Sequence, residues 1–386
     1  MHFEFATATR IIFGEGAVHQ VAPIAATFGK HGLIVVGKHV ERASSLIAEL
    51  SAHAERIATT TFSVSGEPTV ATVLTGVQRA RESSADFVIS IGGGSVIDTG
   101  KAIAALLTNA GDPFDYLEMV GKGTVLTQLA APFIAIPTTA GTGSEVTRNA
   151  VFSVPEKRVK VSLRSALMLP RVAVVDPELT YSIPPDITAS TGLDALTQLV
   201  EPYTCNAVNP MVDALCVEGI QRVARSLARA FRNGNDAPAR ADMALASLFG
   251  GIALANAKLG AVHGFAGVLG GMLSTPHGVI CARLLAFVME ANVRALRERA
   301  AGSPTLARYD RVAQLLTGNA NARANDGVAW VRALCAELDI APLSKLRLTR
   351  ADFPAIIAQA QNASSMKGNP ITLTDEELRK VLEQTL

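Results

Sequence analysis

Excess charge of either sign is missing from this chain. Its 35 Lys and Arg face 34 Asp and Glu, a formal net charge of +1 over 386 residues. The cations are dispersed, as at Lys157, Arg158 and Lys160, and form no long basic run. Nucleic-acid footprints need clustered cations, so no nucleic-acid partner is expected. Cysteine is scarce: Cys205, Cys216, Cys281 and Cys335, with no pair at CxxC spacing. That argues against a disulfide framework and for reduced, partly buried thiols. The first residues, up to Phe13 and Gly14, show no basic stretch followed by an apolar run, so no secretory signal and a cytoplasmic location are expected. Aromatic residues make up 5% of the chain against 49% hydrophobic, so any core must be largely aliphatic. No internal repeat or low-complexity tract appears. The most apolar segment, Leu245 to Leu273, contains Asn256, Lys258 and His263. A membrane span there would bury Lys258 with no partner in sight, so a buried helix pair is expected and no membrane association.

Short β-branched runs come next: Leu33–Val36, Phe87–Ile91, Phe133–Ile136 and Val172–Val175. Continuous runs of this length suit parallel strands covered on both faces. Helical patterns alternate with them, at Val70–Arg81 and Val96–Leu107, as in an α/β layer fold. After Asp176 the pattern changes. Pro177, Pro184 and Pro185 punctuate a linker, and helical segments dominate thereafter: Leu193–Thr204, Met211–Phe231, Arg240–Ala257, Arg308–Leu316, Gly327–Leu338 and Asp352–Gln361. The expectation is two domains, an α/β domain over residues 1–179 and an all-α domain over 180–386.

Two loops carry the first chemistry. Gly92-Gly93-Gly94-Ser95 follows an expected strand and opens an expected helix, with Asp98 in its first turn. Glycines there let backbone N–H groups approach an anion, and the helix N-terminus adds partial positive charge. The alternative is a tight turn with no ligand; the position at the end of a buried strand favours a pyrophosphate. The motif is not GxGxxG. The second loop, from Pro137 through Thr138, Thr139, Gly141, Thr142, Gly143, Ser144 and Glu145 to Thr147, offers hydroxyls to ribose or phosphate oxygens, or to its own backbone.

A third constellation lies in the helical half. Asp194 and Gln198 stand at i and i+4, on one helix face. His263 sits in an apolar helical run, and His277 follows Pro276 at the start of a further turn or helix. One carboxylate and two imidazoles suit a divalent metal, Fe(II) among them. A lone histidine on an apolar face is more often a hydrogen-bonded core residue, and spacing alone favours that reading over metal ligation.

Taken together, the motifs resemble the iron-containing alcohol dehydrogenase family. Gly92-Gly93-Gly94-Ser95 with Asp98 and Lys101 matches that family's GGGSxxDxxK, and Pro137 to Glu145 its PTTxGTGSE. Glu67-Pro68-Thr69, Asp176-Pro177 and Asn369-Pro370 fall where the family has them, so the resemblance runs along essentially the whole chain. It implies a dehydroquinate-synthase-like fold, with an N-terminal dinucleotide-binding domain, a helical C-terminal domain and an active site in the cleft between them. The family's metal ligands, an aspartate and three histidines, carry over to Asp194, Gln198, His263 and His277. Gln198 departs from the pattern, because its amide oxygen is a poorer ligand for iron or zinc than imidazole. A further family histidine would fall on Gly267 and is absent too. Lys160 is placed by the same match on a coenzyme ribose.

The resemblance implies hydride transfer between NAD(P) and the carbonyl or carbinol carbon of a small alcohol, aldehyde or oxoacid. Asp194, His263 and His277 would hold a divalent cation, iron or zinc. NAD-preferring relatives often carry an aspartate where Gly37 stands; with Lys38 and Arg42 nearby, its absence leans toward NADP. Three rivals stay open: a metal-independent reductase of an activated oxoacid resembling maleylacetate reductase, a lyase of the dehydroquinate-synthase type, and a catalytically silent nucleotide-binding protein. A homodimer is one open assembly.

Overall fold

The protein is described from a computed structural model covering residues 2–53, 56–117, 120–157, 159–273 and 275–386; Arg158 lies outside the described residues. The chain divides into two compact units. One comprises Ala6–Thr139 and Gly143–Tyr181, and the other Ser182–Leu386 with the N-terminal residues up to Phe5 and the short segment Ala140–Thr142. The expected division between residues 179 and 180 omits those two excursions. The second has a visible cause: a side chain at Gly141 would sit 2.6 Å from Thr191 Cβ, so this segment lies tightly on the helical unit.

In the first unit the strands are β1 (Arg10–Phe13), β2 (His31–Val36), β3 (Ala58–Ser63), β4 (Phe87–Gly92), β5 (Phe133–Pro137), β6 (Asn149–Val154), β7 (Val159–Arg164) and β8 (Val172–Val175). Six form one sheet in the order β1-β8-β5-β4-β2-β3, all parallel, while β6 and β7 make a separate antiparallel pair. The helices of this unit are α1 (Val21–Ala25), α2 (Ser44–Ala52), α3 (Val70–Glu82), α4 (Gly94–Thr108) and α5 (Pro113–Tyr116). Alternate residues of the central strands feed two cores. Leu33, Val35, Val88, Phe133 and Ala135 pack with α3 and α4. Ile34, Val36, Ile89, Ile91, Ile134 and Val174 pack with α1 and α2. Burial on both faces is why these strands read as unbroken apolar runs. The two edge strands do not, since β3 is Ala-Thr-Thr-Thr-Phe-Ser and largely open to solvent, and sequence reading passes over it.

The second unit is helical: α6 (Pro185–Thr204), α7 (Pro210–Arg232), α8 (Ala237–Asn256), α9 (Ala261–Leu273), α10 (His277–Arg299), α11 (Pro304–Thr317), α12 (Ala324–Glu337), α13 (Phe353–Asn362) and α14 (Asp375–Thr385). One aliphatic core runs through it, drawing buried residues from every helix from α6 to α14. The expected buried pair is α8 and α9, bent by 96° at a short break. Among the described residues no single helix is long and apolar enough to cross a membrane. All four cysteines are buried and unpaired by disulfides.

Candidate active site

The parallel sheet reverses its winding between β2 and β4. From β2 the chain moves outward to β3, then crosses back to β4 and proceeds to β5 on the other side. Such a switch point leaves a crevice at the carboxyl ends of the two strands, where α/β proteins bind nucleotides. Here those ends are Gly37 and Gly92-Gly93-Gly94, aligned by the pairing of Val36 with Ile91. Gly94 and Ser95 open α4, so its N-terminal amides face this edge. Gly93 has extended backbone, and a side chain placed on it would meet only Thr139 at 3.5 Å. The Thr138 amide donates to the Gly92 carbonyl at 2.9 Å, tying the second loop beside the first. Lys38 and Arg42 are exposed just past β2. The backbone cradle and helix terminus fit a dinucleotide pyrophosphate.

Other residues expected at the coenzyme have their polar atoms engaged inside the protein. Asp98 accepts a short hydrogen bond from the Ser144 hydroxyl and one from the Val151 amide at 3.0 Å. Lys101, wholly buried, donates to the Ser144 and Asn149 carbonyls, each at 2.7 Å, and to the Thr147 hydroxyl at 2.8 Å. Burial pushes Asp98 up and Lys101 down, each opposed by the other's charge. Asp98 and Thr147 thus brace the loop from behind. Burial also raises Glu145 to about 7. Lys160 pairs with Glu67 at 3.0 Å. Thr142 is half-buried, in the segment that belongs with the helical unit.

The helical unit assembles the third constellation from α6, α9 and α10. Asp194 and Gln198 lie one turn apart on α6, His263 is on α9, and His277 is the first residue of α10. Asp194 Oδ1 is 3.9 Å from His263 Nε2 and 3.7 Å from His277 Nε2, and the imidazole rings are 5.3 Å apart. The close approach of α10 depends on Gly278: a side chain there would come within 2.8 Å of the Ser190 carbonyl oxygen on α6.

Asp194 Oδ1, Gln198 Oε1 and His263 Nε2 are buried with no hydrogen-bond partner. Each such atom costs on the order of 1–3 kcal/mol unless something else satisfies it. Three lone-pair donors from adjoining residues, with His277 beside them, fit a divalent cation. Their orientation is enforced from outside. Gln198 Nε2 donates to the Gly141 carbonyl at 3.2 Å, which leaves the amide oxygen for the site. His263 Nδ1 lies 2.6 Å from Glu201 Oε2, so the ring's proton belongs there and Nε2 presents its lone pair. Burial alone would lower the His263 pKa, but the Glu201 hydrogen bond and charge, with Asp194 behind, leave it raised.

Sequence reading missed Glu201 and Cys281. Glu201 lies at i+7 from Asp194 on the same face of α6, which is a usable signal. Its Oε1 also accepts from the Val262 amide at 2.7 Å, and Asn369 Oδ1 accepts from the Ala261 amide at 3.1 Å. Together they satisfy two of the orphan N–H groups opening α9, and this gives Asn369-Pro370 a structural role. Cys281 stands at i+4 from His277, its Sγ 3.4 Å from His277 Nε2.

Comparison with known proteins places the chain. The family profile "Iron-containing alcohol dehydrogenase" matches residues 8–177, and "Fe-containing alcohol dehydrogenase family, C-terminal" matches residues 188–386. The chain belongs to the iron-containing alcohol dehydrogenase family. It is 36% identical over 380 residues to alcohol dehydrogenase 4 of Schizosaccharomyces pombe, covering 97% of this chain and 87% of that protein. Its structure superimposes on that of a 1,3-propanediol oxidoreductase with a TM-score of 0.91 at 32% identity over 100% of both chains. A sulfoacetaldehyde reductase from Bifidobacterium kashiwanohense, solved in complex with NAD+, matches with a TM-score of 0.88 at 28% identity over 100% of this chain and 99% of that one. The expected fold class, an α/β dinucleotide-binding unit plus an all-α unit, is the observed one.

Proposed function

We propose that this chain is an NAD(P)-dependent alcohol dehydrogenase or aldehyde reductase whose substrate oxygen is polarised by a divalent cation, iron or zinc, held by Asp194, Gln198, His263 and His277. The observation that carries the metal assignment is the set of buried, unpartnered atoms on Asp194, Gln198 and His263, with His277 Nε2 beside them. The nicotinamide coenzyme, when bound, supplies or accepts the hydride at its C4 position. A divalent cation supplies Lewis acidity for the negative charge that develops on the substrate oxygen during transfer.

The chain's own groups bind and orient. The amides at the N-terminus of α4 and the backbone of Gly93 and Gly94 receive the pyrophosphate, with Ser95, Thr138 and Thr139 as neighbouring hydroxyl donors. Glu201 fixes the ring and tautomer of His263, and the Gly141 carbonyl fixes Gln198. Asp194 contributes the negative charge that offsets the cation. The end of β2 offers no carboxylate to repel a 2′-phosphate, and Lys38 and Arg42 are exposed next to it; this supports NADP alongside NAD. Gly37→Asp should shift preference toward NAD by repelling that phosphate, and a wild type that already binds NAD far better than NADP defeats the reading. The substrate is a small alcohol, aldehyde or oxoacid. Four buried cysteines outside any disulfide support a reducing, cytoplasmic location.

The test is metal content by mass spectrometry, with aldehyde reduction and alcohol oxidation measured on both coenzymes before and after chelation. Turnover that follows the metal supports the proposal. Metal-free protein with full, chelator-resistant turnover would place it with metal-independent reductases of activated oxoacids.

A further inference from the structure

The four buried cysteines are not alike. Cys281 alone lies in the cluster just described, where single ligand atoms of Asp194, His263, His277 and Cys281 all fall within 4.8 Å of one another. The sulfur is fully buried on the first turns of α10, one turn beyond His277. A cation bound at about 2.0–2.3 Å by N, O and S ligands in a tetrahedron separates those ligands by roughly 3.3–3.8 Å. Three of the separations are close to these edges: 3.4 Å from Cys281 Sγ to His277 Nε2, 3.7 Å from Asp194 Oδ1 to His277 Nε2, and 3.9 Å from Asp194 Oδ1 to His263 Nε2. The unpartnered Asp194 Oδ1 and His263 Nε2, both more than nine-tenths buried, face the same point.

We propose that Cys281 is a protein ligand of the cation site and biases it toward zinc over iron(II). The inference rests on the cation reading of the preceding subsection and deepens it. Gln198 offers only a neutral, hard carbonyl oxygen. Cys281 adds a soft, anionic donor one turn from an imidazole ligand, and thiolates favour zinc over iron(II) more strongly than hard oxygen donors do. The thiol proton passes to solvent as sulfur binds the ion, and no oxidant or reductant is needed. With Asp194, His263, His277 and Cys281 engaged, the ion has a four-coordinate resting set, and a fifth position stays open to the Gln198 oxygen or, in its place, to the substrate oxygen.

The full-length chain is stripped of metal and titrated with Co(II), which reports its ligands by absorption. The expected result is d–d bands of a bound ion together with a near-ultraviolet thiolate-to-cobalt charge-transfer band in the wild type, the latter lost in both Cys281→Ser and Cys281→Ala. Chelator competition should show zinc affinity falling by at least roughly tenfold in both variants, since even loss of a group behind a ligand costs that much, and falling further than iron(II) affinity does. Bound Co(II) with d–d bands but no charge-transfer band in the wild type overturns the role of Cys281 and leaves the cation site standing. Failure of the wild type to bind Co(II) at all overturns both. The wild-type spectrum decides the matter even if a variant does not fold.

Discussion

Replacing Glu201 with glutamine changes one atom and one charge behind the candidate cation site. In the wild type the two carboxylate oxygens serve two donors, His263 Nδ1 at 2.6 Å and the Val262 amide at 2.7 Å. An amide has a single acceptor oxygen. Whichever donor it serves, the other meets an NH2 group in a site where Glu201 is 6% exposed, and a buried donor without acceptor costs about 1–3 kcal/mol. The second effect is on the cation. Loss of a carboxylate that orients a ligating imidazole lowers metal affinity about 10–100-fold, or about 1.4–2.8 kcal/mol. Denaturant unfolding of metal-free protein reads the first term and zinc affinity by chelator competition reads the second. Glu201→Gln should lower both, with zinc affinity falling further than Gln198→Ala lowers it, because His263 is the better ligand. Unchanged zinc affinity in a folded Glu201→Gln protein would refute the claim that Glu201 acts through His263.

Gln198→His should raise zinc and iron(II) affinity by replacing an amide oxygen with an imidazole at i+4 from Asp194, measured by chelator competition; unchanged affinity in the folded variant would contradict the premise that Gln198 is a weak ligand. Gly93→Ala should reduce NAD(P) affinity at least roughly tenfold with little change in melting temperature, since the fold leaves room for a Cβ there but a pyrophosphate needs the backbone; unaltered coenzyme binding would put the phosphate elsewhere. Glu145→Gln tests the pH dependence. A carboxyl with an ordinary value of 4.5 held at about 7 keeps its proton longer when folded, so its contribution is fully present below about pH 4.5 and lost as pH rises through about 7. The variant should therefore match the wild type near pH 4 and exceed it at pH 8 by on the order of 3 kcal/mol; parallel stability curves across that range would count against a protonated buried Glu145.

The parts of this protein legible in its sequence are those that depend on local or strongly periodic physics. The central strands announce themselves because both faces are buried, and the glycine loop because only a strand-to-helix turn needs that composition. α7 shows its apolar stripe, with buried residues recurring at helical spacing from Val212 to Ala230. Edge strands β1 and β3 did not stand out, because half of each side-chain set faces water and the run of apolar residues breaks. Asp194 and Gln198 could be paired from spacing alone, since one helix turn separates them. The tertiary structure alone decided that His263 and His277, from two other helices, come within 4 Å of the Asp194 carboxylate. It alone recruited Glu201 and Cys281, and it turned Asp98 and Thr147 inward to brace a loop. Distances between helices are set by which residues let them approach, here Gly278 against the Ser190 carbonyl. A one-dimensional pattern records which face of a helix is apolar, but not which neighbour that face will meet.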